Sequence, residues 1–143
     1  IWAKRLISSD QVYIVAETVK YPGYPEIVGF ARFQRGRKLQ NNDSGIMTKD
    51  FSVELMSLYV LPEWKRRGIG KRMLCIAASH AIKAFSVEKA FCWCVDDENS
   101  RAFYQSMGCC VLLTKEDHGT QTAFNLDLNA LRLLGERLGA NIG

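Results

Sequence analysis

The sequence predicts one mixed α/β (α+β) domain, and three observations carry that prediction. Segments with strand periodicity stand at both ends of the chain. Between them, residues 68–85 show one strong helical period, preceded and followed by apolar strands. The 143 residues are 48% hydrophobic and 24% charged, which is the composition of one globular domain with a sizeable core.

Taken in order, residues 11–17 alternate Val12, Ile14 and Ala16 on one face with Tyr13 and Val15 on the other, the period of a half-buried strand. Tyr21-Pro-Gly-Tyr-Pro25 turns the chain into residues 26–33, so an antiparallel hairpin is expected. Residues 34–50 are polar, contain Asn41-Asn-Asp-Ser-Gly45 and lack periodicity; they read as a surface loop. Residues 51–61 form a long, mostly apolar strand that Pro62 ends. From Gly68 onward, Ile69, Met73, Ile76, Ala77 and His80 recur at helical spacing until about Phe85. Residues 87–95 return as a strand. Asp97 or Asn99 can cap a short helix to Met107, and Gly108 suits the left-handed residue that closes it. Residues 109–114 and 121–128 read as two strands around the turn Glu116-Asp-His-Gly119. A terminal helix over 129–138 carries Leu131, Leu134 and Leu138 on one stripe, which either supports a homodimer or folds back onto the domain. A strand, helix, strand unit implies a crossover between parallel strands, with an antiparallel hairpin at each end.

Composition excludes several classes. The longest apolar runs, Met73 to Ala78 and Ala90 to Val95, are far short of the ~18 to 20 residues of a membrane helix. The charged opening Ile1-Trp-Ala-Lys-Arg5 has no secretory apolar region, so an aqueous, cytoplasmic setting is expected. Cys75, Cys92, Cys94, Cys109 and Cys110 are odd in number and lack paired CxxC spacing, which fits reduced, buried thiols and neither a disulfide framework nor a metal site. His80 on a helix and His118 in a turn are explained by packing and turn chemistry. Nineteen Lys+Arg against 15 Asp+Glu give a net charge of +4. The basic residues are not interleaved with aromatics as a nucleic-acid stacking surface needs.

The informative stretch is Leu58-Tyr-Val-Leu-Pro-Glu-Trp-Lys-Arg-Arg-Gly-Ile-Gly-Lys-Arg-Met-Leu74. A strand runs into a basic, glycine-bearing turn that opens a helix, so free N–H groups and the helix dipole converge there. Such a site grips phosphate or pyrophosphate. Gly68 and Gly70 permit close approach to main chain, while Lys65, Arg66, Arg67 and Lys71 add whole charges. A Walker A loop is excluded, since no glycine lies five residues before Gly70 and no Ser or Thr follows Lys71; GxGxxG fails at Met73.

Here the sequence resembles the GNAT superfamily of N-acetyltransferases, whose signature (Arg/Gln)-x-x-Gly-x-(Gly/Ala) follows a strand often reading Leu-Tyr-Val-x-Pro. Lys65-Arg-Arg-Gly-Ile-Gly70 matches it except at the first position, where lysine stands. Asn99-Ser-Arg-Ala-Phe-Tyr-Gln-Ser-Met-Gly108 resembles the second family motif, with Ala102 at the third place after the asparagine and Cys109 where an aromatic is usual. The likeness covers roughly residues 11–128. It implies a GNAT-like mixed sheet, flanked by helices, whose central parallel strands 51–61 and 87–95 splay apart to admit acetyl-CoA. By the resemblance, pantetheine runs along Leu58, Tyr59 and Val60, and the pyrophosphate sits on Lys65, Arg66, Arg67, Gly68, Ile69, Gly70 and Lys71. No metal is implied.

The implied reaction is attack of an amine on the thioester carbonyl. Backbone N–H groups near Leu58, at a bulge, would stabilise the oxyanion. Tyr104 holds the family's position for the acid that protonates the leaving thiolate, and Asn99 would orient the cofactor or a water. Glu54 is the candidate base; it shares a strand face with Met56, Leu58 and Val60 if no bulge intervenes, in an apolar setting that would raise its pKa. Ordered water is the other route for that proton. Asp96, Asp97 and Glu98 could instead attract a cationic acceptor. A noncatalytic CoA-binding module is the competing class, kept open by Lys65 and Cys109. Relatives in the family carry a strand and one or two helices ahead of residue 11, so residues 1–8 are expected as the tail of a helix in a chain lacking those elements. The amine-bearing acceptor cannot be read from the sequence.

Overall fold

Val12, Ile14 and Ala16 on β2 (Gln11–Tyr21) and Val28, Ala31 and Phe33 on β3 (Tyr24–Arg35) are almost wholly buried. Their alternation turns one face of a sheet toward the helices. The computed structural model describes residues 2–21, 24–36, 51–95, 97–116 and 119–139. Seven strands form one sheet in the order β1-β2-β3-β4-β5-β7-β6, with β1 (Trp2–Ile7), β4 (Val53–Val60), β5 (Lys89–Val95), β6 (Cys110–Glu116) and β7 (Thr120–Asp127). Neighbours pair antiparallel except β4 with β5, which run parallel. The helix α1 (Ile69–Phe85) makes the crossover between them, α2 (Glu98–Ser106) links β5 to β6, and α3 (Leu128–Arg137) follows β7 and packs on α1.

The main core lies between α1 and the sheet. Met73, Leu74, Ala77, Ala78 and Ala81 of α1 meet Val12, Ile14, Phe33 and Leu55, and α3 adds Leu128 and Leu131. Gly29 sets how closely these layers approach, since a Cβ there would lie 2.7 Å from the Tyr59 carbonyl oxygen and 2.9 Å from Met73 Cε. A smaller cluster on the other face joins Phe51, Phe91 and Ala123, with Trp93, Leu112 and Leu113 against it. Among the described residues no helix is long and apolar enough to cross a membrane.

The mixed sheet, both hairpins, the crossover helix and the terminal helix agree with the sequence reading. Leu131 is buried and Leu134 packs on the core, so this part of the leucine stripe folds back onto the domain, while Leu138 at its end is exposed. One expectation is corrected: residues 2–7 form strand β1, not the tail of a helix, with Ile7 opposite Val12 and Trp2 opposite Glu17. A tight turn makes this possible, because the Ser8 hydroxyl accepts from the amides of Asp10 and Gln11 and the Ser8 amide donates to the Gln11 carbonyl at 2.9 Å. Cys75, Cys92 and Cys109 are buried free thiols as expected, whereas Cys110 is exposed, because it opens the edge strand β6. Residues 37–50 of the expected loop, positions 22–23 and 117–118 of the two turns, His118 among them, and Asp96 lie outside the described residues.

Candidate active site

The site begins where β4 and β5 part. Their register contains one pair, Glu54 opposite Phe91; beyond it residues 55–60 keep β3 on one edge and meet no strand on the other among the described residues. A bulge falls at the same place, since Arg32 pairs with Ser57 and Phe33 with Leu55, leaving Met56 as the extra residue. Bulges bend a strand and free main-chain groups from the ladder. The resulting cleft has a volume of about 500 Å³ and is walled by Leu58 and Val60 of β4, the turn before α1, and the first two turns of α2.

The turn before α1 gathers unpaired helix-start amides and four cationic side chains at one mouth of the cleft. Pro62–Trp64 make a single 3-10 turn, after which Arg66 and Gly68 both adopt positive φ, 65° and 79°. Glycine tolerates this region; an arginine there is strained by roughly 1–2 kcal/mol, a sign of local function. No side chain caps α1, and the amide of Arg72 already bonds the Gly68 carbonyl at 3.1 Å, so the amides of Ile69, Gly70 and Lys71 have no helical acceptor. A Cβ on Gly70 would sit 3.7 Å from both Phe103 Cε2 and Val60 Cγ2. The protein's own packing therefore does not demand glycine, and the space above that amide belongs to the cleft. Lys65, Arg66, Arg67 and Lys71 are exposed around it, and Arg67 lays its guanidinium 4.5 Å over the Trp64 ring.

Across the cleft stands α2. Asp97 caps it, Oδ1 accepting from the Ser100 amide at 2.8 Å and Oδ2 from the Ser100 hydroxyl at 3.1 Å; these bonds, the amide's above all, hold the exposed carboxyl below its usual range. Asp97 thus serves the helix end rather than standing free for a cation. Asn99 follows in the first turn, exposed and lining the cleft. Tyr104 is buried, stacked on Phe124 at 5.0 Å and edge-on to Phe103 at 5.1 Å. Burial pushes its phenol well above the ordinary tyrosine range, and the adjacent, hydrogen-bonded Cys92 thiol adds to this. Burial also raises the Cys75 thiol to about 11 and the Cys109 thiol to about 12, and pushes Cys92 up as well, so none of these three is a ready thiolate. Among the described residues no His, Cys, Asp and Glu cluster could hold a metal.

Leu58, Val60, Lys65, Arg66, Gly68, Ile69, Gly70, Lys71, Asn99 and Tyr104 thus converge on one cleft. Arg67 turns onto Trp64. The Tyr59 side chain lies on the opposite sheet face, 46% exposed and 5.8 Å from the Phe30 ring. Glu54 does not share a face with Leu58 and Val60: the Met56 bulge shifts the alternation, so Glu54 stands with Ser57 and Tyr59 on the face away from α1. Trp64, Ser100 and Phe103 also line the cleft and were not anticipated; Phe103 precedes Tyr104 in the second motif, which was the available signal.

Residues 2–109 match the Acetyltransferase (GNAT) family, and the chain belongs to that family. No curated protein sequence matches it. The fold is shared with Arabidopsis thaliana NAA60 in complex with acetyl-CoA, at 16% identity and TM-score 0.65, covering 84% of this chain and 77% of that one. It is shared too with the PaiA N-acetyltransferase of Thermoplasma acidophilum in complex with coenzyme A, at 18% identity and TM-score 0.56 over 82% and 61%. Nourseothricin acetyltransferase is similar at 13% identity and TM-score 0.61 over 82% and 65%.

Proposed function

We propose that this domain transfers an acetyl group from acetyl-CoA to the amine of an acceptor. The observation that carries this reading is the uncapped, glycine-opened start of α1 at the mouth of the β4–β5 splay, with Tyr104 on the facing wall. The residues fit the donor. Amides 69–71, the positive-φ turn and Lys65, Arg66 and Lys71 suit a diphosphate, and the unpaired edge of residues 55–60 suits an amide-bearing pantetheine arm laid down as an extra strand. CoA bound in this way brings an activated thioester to the Met56 bulge.

The chain's own residues then have three tasks. Main-chain N–H groups at the bulge stabilise negative charge on the carbonyl oxygen. Tyr104 keeps its proton at every working pH, because burial raises its pKa, and its hydroxyl donates to the departing thiolate. Glu54 takes the acceptor's proton from the sheet face opposite α1, so donor and acceptor enter from opposite sides; Asn99 orients the donor or a water. Support for these roles comes from placement and chemistry: half-burial of Glu54 beside Phe91, and Tyr104 in the cleft lining.

Calorimetry with acetyl-CoA and a free-thiol assay over an amine panel test the reading. Saturable binding and thiol release with an acetylated product are expected. Binding without transfer to any amine would leave a CoA-binding module, and absence of binding would remove the donor site.

A further inference from the structure

We infer that the acceptor is a free amino acid with an apolar side chain, and that Arg32 reads its carboxylate; this rests on the acetyl-transfer reading above. Ala31 and Phe33 are fully buried against the helices, so Arg32 between them belongs to the opposite sheet face. It is half-buried, and its Nε is shut off from solvent with no hydrogen-bond partner. A guanidinium cannot shed its charge and has no acceptor capacity, so an unpaired, desolvated N–H is costly until an anion meets it. No carboxylate among the described residues does so.

The position of that cation is what identifies the ligand. Arg32 lies between Tyr13 on β2 and Ser57 on β4, and Ser57 is the residue directly after the bulge, where the splay opens. Gln34, two residues along, is the register partner of Glu54. Arg32 and Glu54 are therefore diagonal neighbours on one face, about 7–8 Å apart at that spacing and within reach of a common ligand through their long side chains. An α-amino acid presents its ammonium and carboxylate on one carbon and can meet both charges. A simple alkylamine, or a peptide N-terminus whose carboxyl is an amide, leaves Arg32 unpaired. Beside the pair, Tyr13 stacks on Phe30 at 6.0 Å and Phe30 meets Tyr59, forming an aromatic bank for an apolar side chain.

Phenylalanine and phenethylamine, which differ by the carboxylate alone, are the probes. Wild type is expected to acetylate phenylalanine with kcat/KM about 10- to 100-fold above phenethylamine, the worth of a charged hydrogen-bond pair. Arg32→Gln should collapse that ratio toward one, mainly through KM, and Arg32→Lys, which keeps charge without the planar fork, should recover part of it. Equal kcat/KM for the two probes in wild type, or an unchanged ratio in Arg32→Gln, overturns the inference. Calorimetric titration of phenylalanine, with and without CoA, separates this from failure of the donor reading. Acetyl-CoA binding with no phenylalanine binding refutes the amino-acid acceptor alone. Loss of acetyl-CoA binding refutes the donor site, and the phenylalanine titration then still decides for or against Arg32.

Discussion

Glu54 on β4 stands opposite Phe91 on β5, and past that pair the two strands diverge. This single relationship links the fold to the chemistry. A fully paired parallel ladder would satisfy the β4 edge and close the cleft; instead the Met56 bulge bends β4 at the point of separation, and the start of α1 closes the far end of the gap. In the acetyl-transfer reading proposed above, donor and acceptor approach one bulge from two faces of the same sheet.

The anion cradle over α1 can be tested at Gly70. Its missing Cβ would make only ordinary contacts at 3.7 Å, so Gly70→Ala should fold normally, and Gly70→Glu likewise, with the carboxylate in the cleft. The acidic variant should nevertheless bind acetyl-CoA about 100-fold or more weakly, equivalent to losing roughly two charge-assisted hydrogen bonds at about 1.5–3 kcal/mol each. Calorimetry beside a thermal melt checks this. A wild-type Kd in Gly70→Glu would rule out phosphate on those amides.

Tyr104→Phe removes one hydroxyl while keeping the ring that stacks on Phe124. A fall in kcat of about 10²–10⁴-fold is expected, with acetyl-CoA affinity changed only a few-fold. Burial holds the phenol above its ordinary pKa of ~10, so its proton is retained as pH rises. The wild-type rate should therefore show no alkaline decline from tyrosine ionisation below that value. Turnover near wild type in the variant would remove the hydroxyl from the mechanism.

The legible parts of this structure are those whose side chains repeat against a core. The helical stripe of α1, the alternation of β2 and the left-handed Gly108 at φ 82° were all readable from residue type, as was the cluster of glycines and cations at 65–71. Strand β1 was not, because Leu6 is 70% and Ile7 47% exposed: an edge strand held by main-chain pairing leaves no burial period. The face of Glu54 turns on whether a bulge intervenes, which residue type does not reveal: one extra residue at Met56 reverses the parity of everything beyond it. Arg66 gave no warning of its positive φ, since arginine has no left-handed preference. Trp64 and Phe103 reach the cleft only through the convergence of separate elements.

Gly29 tests the spacing of β3, β4 and α1. A Cβ at 2.7 Å from the Tyr59 carbonyl oxygen meets backbone that cannot swing aside, although Met73 Cε at 2.9 Å can. Gly29→Ala is expected to destabilise by about 1–3 kcal/mol through overpacking, read as a lower urea midpoint with unchanged m. It should also disturb the cleft through Tyr59 and Val60. An unaltered midpoint would show that the strands can separate freely.

Acid sensitivity should come first from His80, far from the cleft on α1. It is buried, and its Nε2 has no partner; desolvation, then repulsion from Arg5 and Lys83, lowers its pKa in the folded state. Between the folded value and the unfolded value of ~6.5 the unfolded chain binds more protons, so stability is full above that window, is lost as pH falls through it, and changes no further below the folded value. Asp97, held low by its cap, contributes only in a more acidic window. Urea unfolding at about pH 8 and about pH 5.5 should show lower stability at the acidic value in wild type and a flatter response in His80→Gln. Identical pH slopes for the two proteins would mean that His80 is hydrated in the folded state.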